Sequence, residues 1–168
     1  LTETDVLVIG TKTYQTTEAV ELVKHLRPRL VFSMANGVKK TEQLCEAFND
    51  TTVLGCMANV SGELLENGVV DFTRNVCLHI GALDLISQEQ TAELAQLIDA
   101  AGIVCRAEEN IKTVEWSKYV GWVAFMALAV ITRAKTADFL TNDNHASLAS
   151  RLIKEMALIA AAKNIELV

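Results

Sequence analysis

The sequence has 168 residues, of which 51% are apolar and 21% are charged, and its formal net charge is −6. A chain of this length and composition folds as one ordinary globular domain, or as parts of two, and is not disordered. The 15 lysines and arginines are spread without long runs. This argues against a nucleic-acid-binding protein, because phosphate contacts need clustered basic side chains.

Two apolar runs, residues 5–10 and residues 30–34, each end in a polar cluster and are each followed by a helical pattern. Continuous apolar strands that alternate with helices predict an α/β fold with a parallel sheet covered on both faces. In such sheets ligands bind beyond the carboxyl ends of the strands. We therefore expect Lys12 and Asn36, which follow these two strands, to face the same crevice.

The next elements follow from capping residues and spacing. Thr16 and Thr17 can cap the helix after the first strand. A second helix is predicted over residues 41–48, with Cys45 on its inward side, and the next strand over residues 52–57.

The pattern then changes from alternating strands and helices to a hairpin. Asn67-Gly68 lies between two extended pieces, which is a strong hairpin signal. A short separate strand is predicted over residues 76–80. A capping-box pattern at residues 87–90 predicts a helix that runs to Ala101, and another short strand is predicted over residues 103–105.

No strand pattern appears after about Glu109. Long helices are predicted over residues 111–131 and 145–163. We place the domain boundary near Glu108, which gives a domain of residues 1–108 and a helical domain of residues 109–168.

The four cysteines lie far apart and form no CxxC pair. Since the chain has enough apolar residues for a core, we interpret them as reduced, mostly buried thiols in a cytoplasmic protein. The longest uncharged stretch, residues 119–132, is shorter than the ~20 residues of a membrane span, so we interpret it as a buried helix and expect no membrane association. The three histidines do not stand near Asp, Glu or Cys at metal spacing, so we expect no metal site.

Individual residues allow more than one interpretation. The eight glycines form no G-x-G-x-x-G, so either the protein binds no dinucleotide or the phosphate-binding part lies elsewhere. Lys118 stands at the edge of the apolar helix, where a lysine either extends its ammonium to solvent or donates a proton to a developing alkoxide. Asn36 can equally form a turn with Gly37, and Lys12 can be a solvated charge.

In their order along nearly the whole chain, several segments resemble the ketopantoate reductase family (2-dehydropantoate 2-reductase). The segments are residues 8–15, 34–38, 53–55, 62–65, 68–70, 80–81, 116–118, 131–134 and 155–167. The resemblance implies the second half of a Rossmann-type domain that holds NADPH, followed by the start of an all-helical domain. It also implies reduction of a 2-keto acid, in the cleft between the domains, by hydride transfer from the nicotinamide.

The resemblance also implies roles for single residues. Lys118 corresponds to the family's general acid, and Asn36 to the strand-end asparagine that holds hydroxyl groups of cofactor and substrate. Lys12 corresponds to the lysine near the nicotinamide, with Gln15 beside it. The ammonium of Lys118 and the amide of Asn36 are then expected to meet around the same carbonyl.

The sequence departs from the family pattern in two ways. The family's glycine-rich turn would precede residue 1 and its last helices would follow residue 168, so we expect the central part of a longer enzyme. Four and eight residues after Lys118, where typical members have asparagine, stand Trp122 and Met126. Neither can replace an amide that donates and accepts hydrogen bonds.

This change leaves three hypotheses open: a ketopantoate-type reductase, a reductase whose substrate contacts Trp122 and is bulkier and less polar, and a homologue without catalysis that serves as a binding or oligomerisation module. Helical second domains of this kind often associate, which favours a homodimer without fixing the stoichiometry.

Overall fold

The computed structural model describes residues 3–135, 137–138 and 141–168. It divides into two compact units, of which the first ends at Ile111 and the second runs from Lys112 to Val168. Among the described residues, the first unit contains the sheet and three α-helices, and the second contains two long helices. An α/β domain followed by a helical one is the fold class that the sequence predicts, and that prediction is confirmed.

The sheet has five strands, and their spatial order is their order along the chain. The strands are β1 (Glu3–Ile9), β2 (Arg27–Ser33), β3 (Thr52–Leu64), β4 (Val70–Ala82) and β5 (Cys105–Ala107). The first three are parallel, as predicted, and so are β4 and β5. The pair β3 and β4 is antiparallel. The sheet is therefore mixed, because the hairpin reverses the direction of the chain once.

Helices cover both faces of this sheet. The helices α1 (Thr16–Val23) and α2 (Lys40–Ala47) pack in one core cluster with Val31 of β2. The helix α3 (Gln88–Ala100) packs in the other cluster with Phe32 of the same strand. Because consecutive residues of a strand point to opposite faces, the two clusters lie on opposite sides of β2. This sandwich of helix, sheet and helix is the arrangement predicted from the apolar runs.

The start of α1 differs from the prediction. Thr16 is the first helical residue and is buried, and Gln15 occupies the capping position without a side-chain hydrogen bond. A turn of 3₁₀-helix, Thr13–Gln15, precedes α1, and within it the amide of Gln15 donates to the carbonyl of Lys12 at 2.8 Å. This turn binds amide groups that a threonine cap would otherwise bind.

The Asn67-Gly68 hairpin is confirmed. Gly68 has φ of +79°, and the amide of Leu65 donates to the carbonyl of Val69 at 2.8 Å. The prediction of separate short strands over residues 52–57 and 76–80 was wrong. The strands β3 and β4 have 13 residues each, and each joins one of these short strands to one side of the hairpin. Side chains in the outer half of the hairpin are exposed on both faces, so apolar alternation is weak there.

The helix α3 begins after Ser87, as predicted, but the capping-box bond is absent and Ser87 instead donates its amide to Asp84 Oδ1 at 2.8 Å. At the other end the amides of Gly102 and Ile103 donate to the carbonyls of Asp99 and Ile98. This is a Schellman motif, which keeps Ile103 in the helix end and moves β5 two residues beyond its predicted start.

The second unit contains α4 (Ile111–Thr132), except for its first residue, and α5 (Asp143–Ala162), and both helices are within two residues of their predicted bounds. Asn142 caps α5, since its Oδ1 accepts the amides of Asn144 and His145 at 3.0 and 3.2 Å. Near the other end of the unit, the amide of Val168 donates to Ser117 Oγ at 3.0 Å.

The interpretation of α4 as a buried helix was wrong for one of its sides. Trp116, Val120, Ala124 and Leu128 form a buried stripe at intervals of four residues, whereas Trp122, Met126, Val130 and Ile131 are exposed. A helix that is apolar all round buries only the side that meets a neighbour. By length and composition alone α4 could cross a membrane, a test that the core helix of a soluble protein also passes.

Candidate functional site

Two loops leave the carboxyl edge of the sheet side by side. The parallel strands β1 and β2 are paired up to Ile9 and Ser33, so residues 10–15 and 34–39 both follow the same edge. Lys12 and Asn36 are exposed in these loops. The structure therefore places the two predicted side chains at one edge of the sheet.

A hydrogen bond joins the two loops. Thr13 Oγ1 donates to the main-chain carbonyl of Asn36 at 2.9 Å, and the amide of Met34 donates to the carbonyl of Ile9 at 3.1 Å. Because the acceptor is a main-chain atom, this bond fixes the position of Asn36 without using its side-chain amide. Thr13 therefore clamps the loop that carries Asn36 to the loop that carries Lys12.

A buried lysine stabilises the second loop. Lys40, at the start of α2, is only 2% exposed, and its Nζ donates to the carbonyl of Gly37 at 2.7 Å. Gly37 has φ of +101°, a conformation that favours glycine. The backbone thus bends at Asn36-Gly37, and whether the Asn36 side chain binds a ligand stays a prediction.

The chemistry at this edge suits a polar ligand such as a nucleotide. Lys12 supplies an ammonium, and Gln15 and Asn36 supply amides that donate and accept. The hydroxyl oxygen of Thr11 is buried and has no hydrogen-bond partner among the residues that the structure describes. A buried hydroxyl of this kind is costly unless a bound group completes it.

The helix α4 carries the other predicted group. Lys118 is half-buried, and its Nζ lies 6.0 Å from the centroid of the Trp122 ring, one turn further along. That ring stabilises an ammonium through a cation–π interaction. Trp122 and Met126 are 52% and 56% exposed. In the direction of the C-terminus, then, two apolar side chains, those of Trp122 and Met126, follow Lys118 on α4.

The sequence does not point to the structural roles of Thr13 and Lys40. Thr13 lies within the segment of family resemblance, but a hydroxyl directed at a carbonyl 23 residues away has no local signal. The adjacent lysines 39 and 40 suggest a solvated pair, whereas the fold buries one and exposes the other. Both contacts depend on loops brought together by β1 and β2.

Other polar groups of the first unit lie apart from these loops. His79, in β4 as predicted, has its Nδ1 2.6 Å from Glu108 Oε1. Hydrogen bonds from Ser87 lower the pKa of Asp84. Within the described residues, no three or more His, Cys, Asp and Glu residues are grouped so that they could hold a metal.

None of the four cysteines, which all lie in described residues, forms a disulfide, and they differ in burial. Cys56 and Cys77 are buried and Cys105 is partly buried, whereas Cys45 is exposed, so its predicted inward position was wrong. Burial raises the pKa of Cys105 to about 11 and also raises that of Cys77. Cys105 lines a groove between α3 and β5, and its thiol stays protonated near neutral pH, so the groove contains no activated nucleophile.

Comparison with protein families gives two matches. The family described as ketopantoate reductase PanE/ApbA matches residues 1–84, and its C-terminal family matches residues 110–168. A curated relative, 2-dehydropantoate 2-reductase of Pyrococcus abyssi (strain GE5 / Orsay), is 26% identical over 164 residues, which are 96% of this chain and 54% of the relative. The chain thus spans about half the length of the curated relative that it matches.

Solved structures share the fold. The PanE/ApbA family ketopantoate reductase from Ralstonia eutropha JMP134 has a TM-score of 0.86 at 23% identity, over 98% of this chain and 54% of that one. D-mandelate dehydrogenase with NADH and anilino(oxo)acetate has a TM-score of 0.88 at 17% identity, over the same two shares. A dimeric ketopantoate reductase from Staphylococcus aureus has a TM-score of 0.82 at 21% identity, over 100% of this chain and 61% of that one.

Proposed function

Because this chain belongs to the ketopantoate reductase family, we propose that the whole protein reduces a 2-keto acid to a 2-hydroxy acid with NADPH as its cofactor. The observation that carries the proposal is the clamped polar edge of the sheet, where Thr13 binds the loop of Asn36 beside the loop of Lys12. Open α/β sheets bind nucleotides at such an edge.

At this edge the chain's residues bind and orient the cofactor, whose nicotinamide supplies a hydride when bound. Lys12, Gln15 and Asn36 are exposed there and offer the cations and amides that bind ribose hydroxyls, phosphate oxygens and a carboxamide. The unpartnered hydroxyl of Thr11 is a further donor at the same strand end.

Lys118 is the proposed general acid. Its ammonium donates a proton to the carbonyl oxygen of the substrate as the carbonyl carbon is reduced, which leaves a neutral amine that water reprotonates. The Trp122 ring beside it favours the ammonium, the form that can donate. Asn36 is proposed to bind the same substrate oxygen, so the prediction that Asn36 and Lys118 meet at one carbonyl is part of this proposal.

A second candidate is a reductase of 2-keto acids that have a bulky, apolar substituent. Trp122 and Met126 follow Lys118 on the same side of α4 and expose about half of their surface. An indole and a thioether bind an apolar or aromatic group and offer little to a substrate hydroxyl. The structure of the fold neighbour D-mandelate dehydrogenase contains anilino(oxo)acetate, an aromatic oxo acid, which supports this candidate.

The test is a substrate panel with the full-length protein. Loss of the NADPH absorbance is measured with ketopantoate, with phenylglyoxylate and with a small 2-keto acid such as pyruvate, and then with NADH in place of NADPH. A clear preference for ketopantoate would reject the second candidate. Absence of cofactor oxidation with every acid would reject reductase activity and favour the non-catalytic module.

We propose a homodimer in the cytoplasm as the working form. The four free thiols fit a reducing compartment, and the exposed apolar side of α4 offers surface for association. The fold neighbour from Staphylococcus aureus is dimeric. Sedimentation of the full-length protein over a hundredfold concentration range tests this, and a monomer throughout would contradict it.

A further inference from the structure

Two glycines face each other on the antiparallel strands β3 and β4. Gly55 and Gly81 are directly paired, and both are buried. A Cβ at Gly55 would lie 2.7 Å from Ile111 Cγ2, and one at Gly81 would lie 2.5 Å from Ile111 Cβ. The side chain of Ile111 therefore occupies the space that two ordinary residues would fill, and only glycines leave room for it.

The space that Gly55 and Gly81 leave open forms a seat in which Ile111 is buried. It is 1% exposed, and it is the first residue of α4. Only residues 108–110 separate it from β5, and the amide of Glu108 donates to the carbonyl of Ile80 at 2.8 Å. Ile111, the last residue of the first unit, is thus fixed against β3 and β4.

We propose that Ile111 is a positioning residue for Lys118, acting through the seat formed by Gly55 and Gly81. This inference rests on the proposed function, in which Lys118 is the proton donor. Lys118 follows Ile111 by seven residues, about two turns, or roughly 10 Å along the helix axis. A shift of about 1 Å in a reacting group costs up to ~10²-fold in rate, so a loose helix start lowers turnover without removing any catalytic group.

The geometry of the seat provides a size-swap test. Gly55→Ala clashes with Cγ2 and Cγ1 of Ile111, at 2.7 and 2.9 Å, and Ile111→Ala removes both atoms and leaves only Cβ at 3.4 Å. Gly81→Ala clashes with Ile111 Cβ at 2.5 Å and with the carbonyl oxygen of Glu108 at 2.7 Å. Ile111→Ala removes neither of these atoms.

The double variant Gly55→Ala/Ile111→Ala therefore relieves the clash and is expected to recover activity. The matched control, Gly81→Ala/Ile111→Ala, keeps its clash and is not expected to recover. In the full-length enzyme we expect Ile111→Ala to lower kcat about tenfold or more, with the Kd for NADPH changed less than about twofold. The double variant Gly55→Ala/Ile111→Ala should recover most of the kcat that Ile111→Ala loses. The Tm values should rank the variants in the same order as kcat.

The readouts separate positioning from stability and from the proposed function. If Ile111→Ala lowers Tm but keeps the kcat of the wild type, Ile111 is only a core residue and the inference is overturned, while the reductase proposal stands. If the wild type reduces no 2-keto acid, both are overturned, and the Tm values of the variants then measure the seat as a packing feature alone. A double variant no more active than Ile111→Ala would also contradict the inference.

Discussion

The sheet edge of the first unit and the helix α4 of the second carry their functional groups in different ways. At the edge, polar side chains come from two loops, and hydrogen bonds to main-chain atoms fix them, as between Thr13 and Asn36. On α4 the ammonium of the half-buried Lys118 lies near the Trp122 ring, one turn further along the helix. In the proposed function, the edge distributes cofactor binding over several contacts, whereas proton transfer depends on a single atom, Lys118 Nζ. Substitutions at the edge should therefore weaken cofactor binding by graded amounts, whereas loss of the Lys118 ammonium should remove nearly all of kcat.

The largest effect is expected at Lys118. Lys118→Ala removes the proposed proton donor, so kcat should fall by ~10²–10⁴-fold, which is the range for a general acid. The Kd for NADPH, measured by fluorescence titration of the full-length protein, should stay within about twofold, because the cofactor contacts are proposed at the sheet edge.

Lys112→Ala is the matched control, since Lys112 is an exposed lysine near the start of the same helix. It should keep the wild-type kcat. Unchanged turnover in Lys118→Ala would remove Lys118 from the mechanism and abolish the contrast between helix and edge.

The second effect concerns substrate choice on α4. Trp122→Asn restores an amide and removes an exposed indole, so it should shift the ratio of kcat/KM for ketopantoate over phenylglyoxylate upward by roughly 10–200-fold, the range for one side-chain contact. Initial rates with both acids measure this ratio.

Val130→Asn places the same new side chain at an exposed position two turns beyond Trp122 and should leave the ratio unchanged. If Trp122→Asn also leaves it unchanged, Trp122 does not contact the substrate. A shift in both variants would point to a general effect of asparagine on α4.

The two regions also differ in how far the sequence predicts them. Apolar runs placed β1 and β2, and the rule for parallel sheets then placed Lys12 and Asn36 at one edge. The role of Lys118 comes only from family resemblance, because a lysine beside an apolar stretch has no specific local signal. Spacing predicted the length of α4 but not its exposed side, which depends on what packs against it.

Local rules failed at the starts of two helices, where another nearby contact replaced the expected one. The 3₁₀ turn before Thr16 replaced the expected cap, and Asp84 replaced the capping box of α3. The seat of Ile111 joins residues from β3, β4 and α4, so no window of sequence contains it. Such contacts arise only once the topology is set, which is why the fold was more predictable than the details of the candidate site.

A smaller effect is expected from the clamp at the sheet edge. Thr13→Val removes the hydroxyl that binds the carbonyl of Asn36 while keeping a β-branched side chain. A hydrogen bond of this kind contributes about 0.5–1.5 kcal/mol, so the Kd for NADPH should rise roughly two- to tenfold, with kcat changed less. Fluorescence titration and initial rates measure the two quantities.

Thr13→Ser keeps the hydroxyl and should bind NADPH like the wild type. A loss in Thr13→Ser equal to that in Thr13→Val would mean that the methyl group, and not the hydrogen bond, matters. A fall in kcat as large as that of Lys118→Ala would contradict the graded behaviour expected of the edge.

The smallest predicted effect is a loss of stability at alkaline pH. It comes from the first unit, which contains all four cysteines. Burial raises the pKa of Cys105 from 9.0 to about 11, so between these values the folded thiol keeps a proton that the unfolded thiol has lost. Stability from this group is therefore complete below pH 9 and declines as the pH rises towards 11. Because the thiol is partly exposed and water screens it, we expect a loss of less than about 1 kcal/mol.

Thermal unfolding at pH 8, 9, 10 and 11 measures this decline. Cys105→Ala should flatten the fall of Tm with pH, and Cys45→Ala, which removes an exposed thiol, should reproduce the wild-type slope. Equal slopes in all three proteins would assign the alkaline loss to other groups. The sequence has no cysteine after Cys105, so a changed slope in Cys105→Ala reports on the first unit alone. The kcat of Cys105→Ala should equal that of the wild type.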